Sequence, residues 1–286
     1  MRFVISLLVT AVVAQAAVSP DKIENVRGLV RDKKLTAAET AANALVTANP
    51  KEAEAYALLG SVRTAKSDGD GAVKACEKAV ELAPASSEYQ LQLGDACGLA
   101  VQTAGVFSKM SLGKKCLAAY EKAVELDPKN LVARSSLASM YQMAPSMMGG
   151  GIDKAYAQAA AIKQLAATRG HIAYATLYAA EKKFAEAFAE FEEALKAAPD
   201  NYDALYQFGK LTALTGERVD RGMDALKKCL TLSPPPGSPG HDAAQWRLGN
   251  LWEKKGDKKA ARAAYEAALA INPNFQQAID SLKKLG

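Results

Sequence analysis

A two-residue signature, a large residue followed by glycine or alanine, recurs along this chain and constrains its fold more than any other feature. It reads Leu59-Gly60, Leu93-Gly94, Leu137-Ala138, Tyr174-Ala175, Phe208-Gly209 and Leu248-Gly249, at intervals of 34, 44, 37, 34 and 40 residues. The stretch from Ala53 to Pro84 shows what surrounds each copy. Tyr56, Leu59 and Gly60 share one stripe of helical period, and Ala72, Cys76, Ala79 and Val80 share another. Gly69-Asp70-Gly71 parts the two. A pair of helices with one apolar face each cannot bury both faces alone, so the unit requires similar units stacked beside it.

The second helix of the unit has its own recurring pattern. It reads A-x3-C-x2-A-V-x3-P at residues 72–84 and C-x3-Y-x2-A-V-x3-P at 116–128. It returns as A-x3-F-x2-A-L-x3-P at 187–199 and A-x3-Y-x2-A-L-x3-P at 261–273. Apolar residues make up 49% of the chain and aromatics only 7%, with alanine dominant. That balance suits close helix–helix packing, and strand-like runs are nearly absent after the N-terminus, so the fold class is all-α.

These motifs resemble the tetratricopeptide-repeat (TPR) family, and the resemblance covers nearly all of the chain beyond the N-terminal segment. It implies a TPR-type α-solenoid of helical hairpins at about 21–50, 51–84, 85–128, 129–167, 168–199, 200–234 and 241–273, closed by a capping helix at 274–285. Gly60, Gly94, Gly209 and Gly249 are expected to let paired helices approach, with Ala72, Ala187 and Ala261 as the small residues opposite. The closing prolines end each second helix. The first hairpin lacks the Leu-Gly, as terminal repeats often do. The third repeat is ten residues too long, which predicts two extended helices joined near 108–113. The fourth carries Ala144-Pro145-Ser146-Met147-Met148-Gly149-Gly150 between its helices, and Arg169-Gly170 is read as its exit. A long hairpin followed by such an A-P-x-x-x-G-G turn is similar to exported bacterial TPR proteins of unassigned role.

Residues 1–16 read differently. Arg2, the apolar run from Phe3 to Ala14 and the small-x-small Ala14-Gln15-Ala16 describe a secretory signal peptide cleaved near Ala16, with retention as an anchor as the alternative. A periplasmic or secreted protein is the expectation. The net charge of +5, spread among interleaved Lys and Glu, gives no basis for a nucleic-acid partner.

Nothing in the chain has the spacing of a catalytic or cofactor motif. Its two histidines, His171 and His241, are isolated, and no phosphate loop, dinucleotide fingerprint or nucleophile elbow occurs. The expectation is a non-enzymatic protein without cofactor or structural metal. Cys76, Cys97, Cys116 and Cys229 lie on apolar stripes and read as buried thiols, although three disulfide pairings remain formally open.

The resemblance implies that a protein or peptide partner binds the concave face made by the first helices. By register, that face is lined by small residues at first and changes toward the C-terminus to Tyr206, Lys210, Trp246 and Asn250, with Arg247 adjacent. These five are the candidate partner-binding residues, with packing against neighbouring helices as the competing role. The basic and Asn set with which chaperone-binding members clamp a carboxylate is not reproduced. A second reading places contact with a membrane protein or lipid at the tips of repeats three and four, through Val106, Phe107, Met110, Met147 and Met148. A third notes that five of the seven methionines fall between Met110 and Met148 and asks whether their thioethers handle copper.

Overall fold

The computed structural model describes residues 18–286, so the signal-peptide reading of 1–16 lies outside the described residues. Among the described residues fifteen α-helices follow one another and no strand occurs. The first seven are α1 (Pro20–Arg31), α2 (Leu35–Ala48), α3 (Ala53–Ala65), α4 (Gly69–Leu82), α5 (Ser87–Thr103), α6 (Val106–Leu126) and α7 (Leu131–Met143). A 3-10 turn, Ser146–Met148, comes next. Then come α8 (Ile152–Leu165), α9 (Ala167–Ala180), α10 (Phe184–Ala197), α11 (Tyr202–Thr215), α12 (Val219–Cys229), α13 (His241–Lys254), α14 (Lys258–Ile271) and α15 (Gln276–Leu285). The fold is an all-α tetratricopeptide-type solenoid of antiparallel hairpins with a closing helix. It divides into two compact units, one ending at Gly150 and the other beginning at Gly151.

Local chemistry sets where helices begin and end. Asp68, Ser86, Asn130, Asn201 and Asp257 each accept a backbone N–H from three residues on, satisfying a donor that the first turn would leave unpaired. Pro50, Pro84, Pro128, Pro199 and Pro273 each stand two residues past a helix end. Proline disfavours the helical conformation for the residue before it, and Asn49, Ala83, Asp127, Ala198 and Asn272 all lie outside the helical region, with φ between −133° and −141°.

Within each hairpin the signature glycine makes room for the partner helix. A methyl group on Gly60 would stand 2.5 Å from Cys76 Sγ. On Gly94 or Gly249 it would stand 2.4 Å or 2.3 Å from the ring of Tyr120 or Tyr265, and on Gly209 it would stand 2.3 Å from Leu226. The residue seated on the glycine is therefore not the alanine of the second-helix motif, as the sequence suggests, but the residue one turn further on. The alanines Ala72, Ala187 and Ala261 are fully buried at the helix interfaces.

Two boundaries differ from the sequence expectation. The long third hairpin turns at Ala104-Gly105, not at 108–113, so most of the added length lies in α6. Val106 to Gly113 have enough helical periodicity to continue the second helix, and no glycine or proline pair interrupts them. The exit of the fourth repeat is the single extended residue Ala166, φ −153°, which ends α8 and begins α9. Gly170 lies inside α9, where a methyl group would come within 2.2 Å of Lys163 Cα; it marks a close helix crossing rather than a turn.

After α7 the chain turns as the proline and glycines predict. Gly149 has φ +92°, and a methyl group on Gly150 would lie 1.8 Å from the Ala144 carbonyl oxygen. The turn packs on α6: the space above Gly113 is filled by the Met148 methyl and that above Gly149 by Leu117. Between α12 and α13, the proline-rich loop is pinned to the start of α11. Tyr202 donates to the Pro239 carbonyl at 2.7 Å, and Ser238 donates to Asp203 Oδ1 at 2.6 Å.

Candidate functional site

The five residues singled out in sequence sit on α11 and α13, neighbouring first helices of the C-terminal unit that contact each other. The structure assigns them different surroundings. Tyr206 is 5% exposed and belongs to the core that includes Phe188, Phe208 and Leu248. Lys210, one turn on, is exposed. Trp246 is half-buried, packs edge-on against Phe275 with ring centroids 5.9 Å apart, and donates from Nε1 to Ser281 Oγ at 3.0 Å. Both partners belong to the closing segment, so Trp246 anchors α15.

Arg247 lies with its guanidinium carbon 4.1 Å from the centre of the Trp246 ring, within cation–π range. Its Nε is out of water and has no hydrogen-bond acceptor. A buried guanidinium donor without an acceptor is costly; because Nε is shielded, an incoming carboxylate or carbonyl would be met by the remainder of the half-buried side chain. Asn250 directs Oδ1 to the Tyr265 hydroxyl at 2.8 Å, which leaves its amide N–H groups as donors. The face therefore offers cations and amide donors around an aromatic ring already committed to packing.

The histidines are engaged structurally. His171 Nδ1 lies 2.5 Å from Glu190 Oε2, and His241 Nε2 lies 2.8 Å from the Leu232 carbonyl oxygen. All four cysteines are free and buried. Burial pushes the thiols of Cys76, Cys97 and Cys229 up to about 12 and that of Cys116 to about 11, so none is a thiolate nucleophile at neutral pH. Among the described residues no cluster of His, Cys, Asp or Glu could hold a metal ion. Also among them, no helix is long and apolar enough to cross a membrane.

In the N-terminal unit, Val106, Met143 and Met147 are 77%, 74% and 82% exposed. The Phe107 side chain lies outside the described residues. Met110, Met140, Met143 and Met148 line one pocket, which the sequence could suggest only as clustering along the chain.

One aromatic group escaped the sequence reading. Tyr156 of α8 meets Tyr174 and Tyr178 of α9 at centroid distances of 5.8 and 5.6 Å, with Lys163 Nζ 5.3 Å from the centre of Tyr174. The i, i+4 spacing of Tyr174 and Tyr178 is its only signal in the sequence.

Comparison with known proteins agrees with this architecture. Family models described as tetratricopeptide repeat match residues 24–87, 168–211 and 243–275. A solved tetratricopeptide-repeat protein from Parabacteroides merdae is similar over 93% of this chain and 97% of its own, with a TM-score of 0.63 at 16% identity. A thermophilic TPR protein of Thermus thermophilus is similar over 67% of this chain and 97% of its own, at TM-score 0.54 and 19% identity. The APC/C hetero-tetramer Cut9–Hcn1 contains a chain similar over 92% of this one and 48% of its own, at TM-score 0.59 and 16% identity. Among curated proteins, none matches the chain.

Proposed function

The chain is a tetratricopeptide-repeat protein, a protein–protein interaction scaffold, and from that premise we propose that it is exported, non-enzymatic and binds an extended peptide or helix on the α11–α13 face. One observation carries the site: the half-buried Arg247, the exposed Lys210 and the amide donors of Asn250 lie on two helices, α11 and α13, that contact each other. Those groups select a partner segment rich in carbonyl and carboxylate oxygens. Tyr206, buried beneath, supports the face, and Trp246 presents to a partner only what Phe275 and α15 leave open. Most of the affinity would come from Arg247 and Lys210, since few contacts dominate such interfaces.

The test is a crosslinked pull-down of the processed protein from the cell envelope, run beside Lys210→Glu/Arg247→Glu. The same partner band must appear with the native protein and disappear with the variant; its retention in the variant removes the site assignment. Export is read separately, by fractionation and N-terminal sequencing of the processed chain. Ala17 as the first residue supports cleavage after Ala16, and an intact Met1 in the cytoplasm rejects it.

A second reading draws on the exposed Val106, Met143 and Met147 and assigns the tips of the third and fourth repeats to a membrane-associated assembly role. Flotation with liposomes separates the two readings. Co-flotation lost in Val106→Asp/Met147→Asp supports the tips, and failure to float counts against them.

A further inference from the structure

In the N-terminal unit, α5, α6, α7 and the 3-10 turn border an open pocket of ≈ 380 Å³. Of its lining, Gly113 and Cys116 are buried and form the floor, Gly98, Met140 and Met148 are half-buried, and Met110 and Met143 stand at its exposed mouth. A second open chamber of ≈ 330 Å³ shares Gly98, Cys116, Met140 and Met143 and is also lined by Ser135, Ser136, Ser139 and Tyr120. Both volumes fall in the range of small-molecule sites, roughly 300–1,000 Å³.

Gly98 indicates that this space is built into the helix pair. Four residues earlier, Gly94 is required because Tyr120 lies on it. Gly98 has no such neighbour: a methyl group there would meet only Cys116 Sγ, at 3.9 Å, an ordinary contact. Glycine inside a helix costs about 1 kcal/mol relative to alanine. No close approach offsets that cost at Gly98; what the missing side chain leaves is the open volume common to both chambers.

The lining chemistry selects the occupant. Four thioethers give flexible, polarisable walls that adapt to an alkyl chain. Cys116 donates its thiol to the Gly94 carbonyl at 3.3 Å, so the floor is neutral. Lys109 is the one charged residue in the lining, it is exposed at the mouth, and no described ion pair engages it. At ~30 Å³ per heavy atom, on the order of a dozen chain atoms fit the larger chamber.

We propose that this pocket binds an alkyl chain of medium length carrying a single anionic head, the chain among Met110, Met140, Met143 and Met148 and the head at Lys109. The proposal is independent of the peptide face on α11 and α13, which belongs to the other unit.

The test uses the full chain and decanoate, titrated calorimetrically below its micellar range beside decyl sulfate, decanol and decyltrimethylammonium. Saturable binding of decanoate, at least tenfold tighter than of the cationic amphiphile, is expected. Decanoate and decyl sulfate binding alike identify the anion as the requirement, and preference for either assigns the head. Lys109→Gln is expected to weaken decanoate roughly fivefold and leave decanol unchanged, the size of an exposed charge contact. Gly98→Leu, which fills the shared volume, is expected to abolish binding while the helical melting curve is kept.

Methyl NMR gives a readout that does not depend on a variant folding. Decanoate should shift the methyls of Met110, Met140, Met143 and Met148 and leave Met223, buried in the other unit, unmoved. Absence of saturable decanoate binding, equal binding of the alkyl cation, binding undiminished in a folded Gly98→Leu, or shifts spread to Met223 would each overturn the proposal.

Discussion

In α5–α6 and in α13–α14, a tyrosine of the second helix lies against a glycine of the first and donates its hydroxyl to the residue after that glycine. Tyr120 sits over Gly94 and bonds Asp95 Oδ1 at 2.8 Å; Tyr265 sits over Gly249 and bonds Asn250 Oδ1 at 2.8 Å. The acceptor differs in charge. Asp95 brings a carboxylate toward the helix interface, and burial raises its pKa, opposed in part by the Tyr120 hydrogen bond. Asn250 carries no charge, and Tyr265 also bonds Glu253. Past the shared contact the hairpins diverge. The long α5–α6 pair runs on to form the pocket at Gly98, while the standard-length α13–α14 pair is covered by α15. The same steric joint thus serves both hairpins, and what they differ in is what lies beyond it.

The largest expected break in that comparison is at Trp246. Trp246→Ala should remove about 3 kcal/mol, because a large ring and its bond to Ser281 are lost together. Hydrogen exchange should show α15 opening while α5–α6 stays protected. Next are the glycines. Gly94→Ala and Gly249→Ala should each cost about 2 kcal/mol in urea unfolding, since the added methyl overlaps a tyrosine ring. Gly98→Ala, on the same helix as Gly94, should instead stabilise by up to about 1 kcal/mol. A loss at Gly98 equal to that at Gly94 would refute the assignment of open space there.

Removing the hydroxyls is a smaller change. Tyr120→Phe and Tyr265→Phe should each cost about 1 kcal/mol by the same measurement, the net worth of a lost hydrogen bond. The smallest effect separates the two joints by charge. Because the folded-state pKa of Asp95 is raised above 3.8, folding takes up a proton at this group. Its contribution to stability is most favourable below that value and declines as pH rises through the raised pKa. Asp95→Asn should therefore exceed the native protein in stability by about 0.5 kcal/mol at pH 7, a figure kept small by the water that still reaches Asp95, and the gap should close below about pH 4.

Much of this architecture is legible in the sequence because it is periodic. The Leu-Gly pairs, the second-helix motifs and the closing prolines mark which segments pair, and each depends on local sterics that a short stretch of chain expresses by itself. The exceptions are instructive. The turn of the third hairpin is hard to place because Val106 to Gly113 continue a helix as readily as they interrupt one. Gly170 reads as an exit because a glycine needed for helix crossing looks the same in sequence as one needed for a turn. The candidate site is legible as positions on first helices but not as environments. Nothing in the sequence around Tyr206 or Trp246 says that one belongs to the core and the other holds α15.

The sequence by itself determined the all-α repeat, its hairpins and the closing helix, because helical period, capping and proline act over a few residues. Only the tertiary structure decided which side chain rests on each glycine, that four methionines share one pocket with Lys109 and Gly98, and that Arg247 Nε is left without an acceptor. Those facts depend on which helices meet and how closely. They arise from contacts between residues distant along the chain, where volume and desolvation, rather than local propensity, set the outcome.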